Sequence, residues 1–255
     1  MRRRRSGRRP DPRNRLGALL RQRQLIQRPA GVLFDAGGTL VQINHQRLSD
    51  ALAAEGVHAP GLADAFWRTL VMLDSEFSPG VAYEQWFPRW LARFAHAAAV
   101  PAAAFRRAWE AADTPGLLWD EPTPGARDCL RRLREARMRI GVVSNSDGRI
   151  REALDRAGLL SLLDCVVDSG EVGVDKPDPA IFNHALQPLG LQPHQAWYLG
   201  DTVRYDAAGA QAAGITAWVI DHAGIHTVPF PRRVSSLGAF ADAVLAAVPV
   251  PHEHR

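Results

Sequence analysis

Lysine is almost absent from this 255-residue sequence: of 31 basic residues, 30 are arginine. Arginine serves wherever a generic positive charge is wanted, so the single lysine, Lys176, is a position to examine. Cysteine is nearly as scarce. Cys129 and Cys165 lie far apart, which excludes a disulfide framework and zinc-ligand spacing and suits a reducing, cytoplasmic setting. No apolar run approaches the roughly 18–20 residues of a membrane helix, so a soluble chain is expected. Gly and Pro, at 21 and 18 residues, are too few for collagen-like or low-complexity classes. No internal repeat is visible. At roughly 100–200 residues per domain, the length fits one large domain or a core with a smaller insertion.

The net charge of +4 is unevenly spread. Residues 1–30 hold 11 arginines and one acid, Asp11, a net +10 that leaves −6 for the other 225 residues. The basic character belongs to this tail, which has too few apolar residues through Arg15 to order itself. Leu16 to Ile26 has the pattern of a short basic amphipathic helix. The tail reads as a disordered extension or as sequence upstream of the true start; contact with anionic surfaces is the functional alternative. No apolar segment of about 7–15 residues follows the arginines, so a secretory signal is not expected.

From Gly31 the pattern alternates. Gly31–Ala36, Arg139–Ser144, Cys165–Ser169, Ala196–Gly200 and Thr216–Ile220 are short, near-continuous apolar runs, as expected of strands covered on both faces. Between them lie helical patterns over Pro124–Ala136 (behind Thr123 as N-cap), Ile150–Ala157, Ala180–Leu189 and Asp206–Ala213. The expected class is α/β, a doubly wound, Rossmann-like parallel sheet over residues 31–43 and 120–245. Roughly 100 residues separate the first strand from the second, against a usual connection of about 2–6. Helical periodicity over Arg47–Glu55, Leu62–Phe77, Ala82–His96 and Ala102–Ala111, broken at Pro60-Gly61, Pro79-Gly80 and Pro101, predicts an inserted helical cap subdomain over 44–119. It leaves the sheet at the carboxyl edge, where ligands bind in such folds, and is placed to act as a lid. Its aromatics Phe66, Trp67, Trp86, Phe87, Trp90 and Phe94 are expected mainly to pack the insertion itself.

The strand ends carry the chemistry. The first runs into Phe34-Asp35-Ala36-Gly37-Gly38-Thr39-Leu40, and a carboxylate directly after a buried strand must be compensated. The second ends in Val143-Ser144-Asn145; Lys176-Pro177 follows in a loop; the fourth ends in Gly200-Asp201, with Asp206 five residues on. Acids, a hydroxyl and one cation thus gather at one sheet edge. Simpler readings exist: Asp206 could cap the following helix, Ser144 and Asn145 could be turn residues, and Asp175 and Asp178 are read as turn acids. No Gly-x-Ser-x-Gly elbow accompanies the serine, so a serine triad is not expected.

Across residues 31–240 these four motifs, in order, resemble the haloacid dehalogenase-like hydrolases, in the branch with a helical cap inserted after the first motif. The resemblance implies that Asp35 is a nucleophile, attacking phosphorus to form an aspartyl-phosphate that water then hydrolyses. It implies Mg²⁺ held by Asp35, the Gly37 carbonyl, Asp201 and Asp206. Lys176 would pair with Asp35 and the phosphoryl group. Ser144, Thr39, Gly38 and Asn145 would bind phosphoryl oxygens or shape the loop. The expected activity is a Mg²⁺-dependent phosphatase for a small phosphorylated metabolite, phosphomonoester or acyl phosphate, working as monomer or homodimer.

The sequence departs from the family's pattern at one place. Phosphatases of this family usually carry a second Asp two residues after the nucleophile as general acid and base; here that position is Gly37. Such help is typically worth about 10²–10⁴-fold, so slow turnover of alkyl phosphates is expected unless another group, such as His45, substitutes. The gap leaves two alternatives open. A 2-haloacid dehalogenase would attack carbon without a metal, but generally lacks an acid matching Asp201. A degenerate, non-catalytic phosphate or phosphoprotein binder would not need the intact Asp35, Lys176 and Asp201.

Overall fold

The structure, a computed structural model, describes residues 27–76, 83–114 and 118–248. The arginine-rich segment through Ile26, the break at Pro79-Gly80 and the side chain of Trp86 lie outside what is described.

Six strands form one parallel sheet: β1 (Gly31–Phe34), β4 (Arg139–Ser144), β5 (Cys165–Asp168), β6 (Ala196–Gly200), β7 (Thr216–Ile220) and β8 (Arg233–Val234). They stand in the order β5-β4-β1-β6-β7-β8. The strand order reverses direction beside β1, which pairs with β4 on one side and β6 on the other. Residues alternate between two buried layers, as a pleated strand requires. Val32 and Phe34 of β1 face a cluster with Leu130 and Leu133 of α5 (Ala126–Glu135), Leu154 of α6 (Ile150–Arg156) and Phe240 of α10 (Leu237–Ala246). Leu33 faces the other way, toward Phe182 and Leu186 of α8 (Ala180–Leu189) and Ala210 of α9 (Ala208–Ala212). Helices on both faces explain the near-continuous apolar strands.

Register places the site. Phe34 of β1 sits opposite Val142 of β4 and Leu199 of β6. Asp35, one residue past Phe34, therefore emerges at the same edge as Ser144 and Asp201, each two residues past those partners. Ser144 in turn lies opposite Asp168 of β5.

Between β2 (Val41–Gln42) and β3 (Glu121–Pro122) lie α1 (His45–Ala54), α2 (Leu62–Glu76), α3 (Tyr83–Ala97) and α4 (Ala102–Ala112). They share a core of their own, with Leu48, Leu52, Phe66, Trp90, Phe94, Phe105 and Trp109 among its buried residues. Phe66, Trp90 and Phe94 are buried there as expected; Trp67 and Phe87 are only half-buried. The two-residue strands β2 and β3 pair antiparallel, Val41 with Pro122 and Gln42 with Glu121, and bring the two ends of the insertion together. A pair that short leaves no periodic trace in sequence.

Several boundaries differ from expectation. Helix α5 begins at Ala126, not Pro124: Thr123, Pro124 and Gly125 form a turn closed by Ala126 N–H donating to Thr123 O at 2.9 Å, with Gly125 at φ 84°. Thr123 is therefore not its N-cap. Helix α1 begins earlier than expected, at His45, because the Asn44 side chain accepts from Arg47 N–H at 2.9 Å. The segment expected as one helix from Asp206 starts as a wide π-turn over Val203–Ala207 before α9. The short α7 (Ser169–Val172) follows β5 directly, taking Ser169 out of the strand. No helix among the described residues is long and apolar enough to cross a membrane.

Candidate active site

Lys176 sits in the loop between α7 and α8, held by its own backbone. Asn145, just past β4, accepts from Lys176 N–H at 2.7 Å and donates from Nδ2 to Lys176 O at 3.0 Å. Both ends of the Asn145 amide are thereby used. Asn145, expected to bind substrate, fixes the Lys176 backbone through these two bonds and keeps one amide hydrogen and one oxygen lone pair uncommitted.

The ammonium is buried and fully partnered. Lys176 Nζ donates to Asp35 Oδ1 at 2.5 Å, to Asp206 Oδ1 at 2.7 Å and to the Tyr198 hydroxyl at 3.0 Å. Three donors meet three acceptors, as a buried ammonium needs. Burial alone would push Lys176 down, but the charges of Asp206 and Asp35 outweigh it and hold the group above its ordinary value, so it stays charged. Tyr198 also donates to Asp206 Oδ1 at 2.7 Å, and burial beside Asp206 and Asp35 keeps it a neutral phenol. A tyrosine inside a buried strand needs such a partner, so Tyr198 was a legible signal that the sequence reading passed over.

Asp206 has both oxygens committed. Oδ1 takes Lys176 and Tyr198, while Oδ2 accepts from Thr202 N–H at 3.0 Å and Thr202 Oγ1 at 2.5 Å. Burial opposes its ionisation, yet the Lys176 charge wins and holds its carboxyl below the usual range. Its expected role as a helix cap is replaced: Thr202 Oγ1 accepts from Asp206 N–H at 3.1 Å and does the capping.

Asp201 is the opposite case. It is half-buried, and no hydrogen bond reaches its carboxylate among the described residues. Burial, then the charges of Asp206 and Asp35, push it well above the ordinary carboxylate range. One oxygen each of Asp35, Asp201 and Asp206 lies within 4.8 Å of the others. Three carboxylates face one ammonium, so the fully ionised cluster carries two uncompensated negative charges. That donor set of hard oxygens, with one carboxylate unpartnered, fits a divalent cation such as Mg²⁺.

The loop after β1 closes around these groups. Gly38 has φ +77°, and a Cβ there would lie 2.7 Å from Asp201 Oδ2 and 2.4 Å from Leu70 of α2. Glycine at 38 therefore both makes the turn and admits the Asp201 carboxylate. Thr39 is fully buried and its Oγ1 has no partner, an orphaned donor in the loop beside Asp35. Ser144 is buried at the end of β4. Against Gly37 lies the six-membered ring of Trp119: a Cβ on residue 37 would come within 3.3 Å of it. Trp119 packs edge-on to Phe66, and Phe66 edge-on to His45. Both ring nitrogens of His45 are buried without a partner, and burial lowers its pKa.

Three further groups escaped the sequence reading. Asp74 of α2 accepts from Val203 N–H and, at 2.7 Å, from Arg204 N–H. His226 Nε2 lies 2.7 Å from the Asp201 carbonyl oxygen; that oxygen only accepts, so Nε2 carries the proton. His222 packs against Trp67 with ring centroids 4.3 Å apart and the planes tilted by 40°, and burial lowers its pKa to about 4. Asp74 lies within a helix, and His222 and His226 lie in the loop after β7, where no recognisable motif marks them.

Asp35 itself is pushed up to about 6, by burial first; Lys176 pulls it down and Asp206 raises it again. If Asp35 is the nucleophile, only its ionised form attacks. The acid limb of kcat/KM should therefore lie near pH 6 at limiting cation and move to lower pH as cation is added, because a cation favours the carboxylate. pH–rate profiles at two Mg²⁺ concentrations check this; a limb that does not move contradicts it.

Comparison with known proteins agrees with this geometry. Residues 29–214 match a hydrolase family described as haloacid dehalogenase-like hydrolase. A mouse protein named haloacid dehalogenase-like hydrolase domain-containing protein 3 is 34% identical over 126 residues, 47% of this chain and 50% of that protein. A phosphoserine phosphatase of Thermus thermophilus is 38% identical over 98 residues, 38% of this chain and 39% of that protein. The chain thus matches half or less of the length of these curated relatives. The solved structure of a HAD family hydrolase from Deinococcus radiodurans, with bound phosphate and sodium, has 26% identity and a TM-score of 0.59; the match covers 86% of this chain and 96% of that one.

Proposed function

The chain belongs to the haloacid dehalogenase-like hydrolases, and from that premise we propose that it is a phosphatase, cleaving phosphomonoesters or acyl phosphates through an aspartyl-phosphate on Asp35. The observation that carries this reading is the Lys176 ammonium bridging Asp35 and Asp206 at 2.5 and 2.7 Å, beside an unpartnered Asp201 carboxylate. Asp35 Oδ2 attacks phosphorus while Lys176 holds Oδ1 and keeps the carboxylate oriented. Asp206 and Tyr198 hold the lysine, and the Thr39 and Ser144 hydroxyls donate to phosphoryl oxygens. Asp35, Asp201 and the Gly37 carbonyl would hold Mg²⁺, with Asp206 adding negative charge to the cluster; when bound, the ion would neutralise charge on the phosphoryl group. The helical insertion acts as a lid that selects the organic part of a small phosphorylated substrate.

Trp119 sharpens the expected substrate range. Its ring crowds position 37, where a Cβ would lie 3.3 Å from it, and the glycine there offers no carboxylic acid to protonate a leaving group. Leaving groups that depart unaided, aryl and acyl, should be hydrolysed faster than alkyl ones. The absence of a proton donor also suits attack on a haloacid carbon. The Asp201 carboxylate argues against that, since a second acid beside the nucleophile repels a carboxylate substrate unless a cation intervenes.

The test is hydrolysis of p-nitrophenyl phosphate, with Mg²⁺ and with chelator, beside metal-free halide release from 2-haloacids. Mg²⁺-dependent phosphate release supports the reading; halide release alone overturns it. A paired substitution tests the role of the indole. Gly37→Asp alone should not raise the rate on an alkyl phosphate, because the new side chain meets Trp119. Gly37→Asp with Trp119→Ala should raise it about tenfold or more, within the usual reach of a general acid. An equal rise in the single and double variants would show that Trp119 is not the obstacle.

A further inference from the structure

One face of α2 crosses the mouth of the site. Trp67, Leu70 and Asp74, at helical spacing, touch three different loops of the α/β core. Trp67 packs against His222, and Leu70 lies against Gly38. Asp74 accepts the N–H groups of Val203 and Arg204, immediately past Asp201 and Thr202. Asp74 is 1% exposed, so these two backbone donors are what satisfies a carboxylate that burial would otherwise disfavour.

The Asp201–Asp206 segment is thus held from two sides. On the core side, Asp221 accepts from Ile225 N–H and His226 N–H, each at 3.1 Å. That turn sets His226 to donate to the Asp201 carbonyl at 2.7 Å. Among the described residues the other side is supplied by the insertion, through Asp74, whose carboxylate also lies 3.8 Å from His226 Nδ1. If α2 lifts away, the core loop keeps its His226 anchor and loses its second one, and two backbone donors lose their acceptor.

We propose that Asp74 is a positioning residue for the Asp201–Asp206 loop, so that seating α2 on the core completes the acidic cluster, and cation binding and seating of the helix strengthen one another. This rests on the reading that Asp35, Asp201 and Asp206 hold a divalent cation. Linkage makes the effect reciprocal: whatever affinity Asp74 adds for the cation, the cation adds to the docking of α2.

The experiment uses the full chain, Asp74→Ala, Asp74→Asn, and Arg107→Ala as a control that breaks only the exposed Arg107–Glu55 pair within the insertion. Mg²⁺ affinity is measured by calorimetric titration, and amide hydrogen exchange of residues 62–76 is followed with and without Mg²⁺. In the native chain and in Arg107→Ala, Mg²⁺ should slow exchange in α2. In Asp74→Ala, Mg²⁺ should bind about tenfold more weakly, within the usual range of site-to-site coupling, and should no longer slow that exchange. Asp74→Asn keeps one acceptor oxygen and should fall between; it carries the test if the alanine variant does not fold. Native Mg²⁺ affinity and native Mg²⁺-dependent protection in either Asp74 variant overturn the proposal alone. A native chain that binds no Mg²⁺ overturns the cation reading and this proposal with it.

Discussion

Asp35→Asn should abolish turnover, by on the order of 10⁴-fold or more, while leaving the fold intact. The amide is isosteric and its oxygen still accepts from Lys176 Nζ, which now donates to Asp35 Oδ1 at 2.5 Å. What it lacks is a lone pair able to attack phosphorus. Burial already pushes the native carboxyl up to about 6, so removing its charge also relieves repulsion with Asp206 and Asp201. The metal-free variant should accordingly melt no lower than the native protein. Steady-state hydrolysis of p-nitrophenyl phosphate together with thermal melting checks both halves. Activity within tenfold of native would remove Asp35 from the chemistry, whatever the fold did.

Lys176→Met should damage both function and stability. Among the described residues, Lys176 is the one cation paired with Asp35 and Asp206, and both acids are buried. Removing one partner of a buried ion pair typically costs about 3–5 kcal/mol. The rate should fall on the order of 10²–10³-fold, the usual loss when one charge-stabilising donor leaves an active site. The pH dependence follows from the sign of the shift. Without the ammonium, both buried acids are pushed above their unfolded values, so the folded state binds extra protons. The instability should therefore be greatest at neutral pH and be relieved as pH falls through the raised folded values toward about 4. Chemical denaturation at pH 7 and pH 5 tests this. A variant as stable as native at pH 7, with no recovery at pH 5, would show that Lys176 does not offset these charges.

Asp35, Ser144 and Asp201 are legible because each ends or directly follows a buried strand. Arg139–Ser144, Ala196–Gly200 and Thr216–Ile220 are runs so apolar that their bounds coincide with the strands formed. The polar residue that ends each run is consequently the one that reaches the sheet edge. Lys176 stood out only because arginine replaced lysine everywhere else. What escaped were interactions made by geometry rather than pattern. Asp74 is 129 residues from Val203, and its place in α2 looks like any acid near a helix end. The place of Asn145 after β4 is legible in sequence, whereas its hold on the Lys176 backbone, 31 residues on, is not. Position 37 is legible as a missing acid, whereas the indole of Trp119 that crowds it comes from a residue 82 positions away.

The central claim is a phosphoryl group carried transiently by Asp35. Turnover of p-nitrophenyl phosphate with Mg²⁺, quenched in acid and reduced with borohydride, converts an aspartyl-phosphate to homoserine at its own position. Peptide mass analysis should find homoserine at residue 35 and nowhere else. Steady turnover with residue 35 unmodified, or homoserine at another position, would contradict the account.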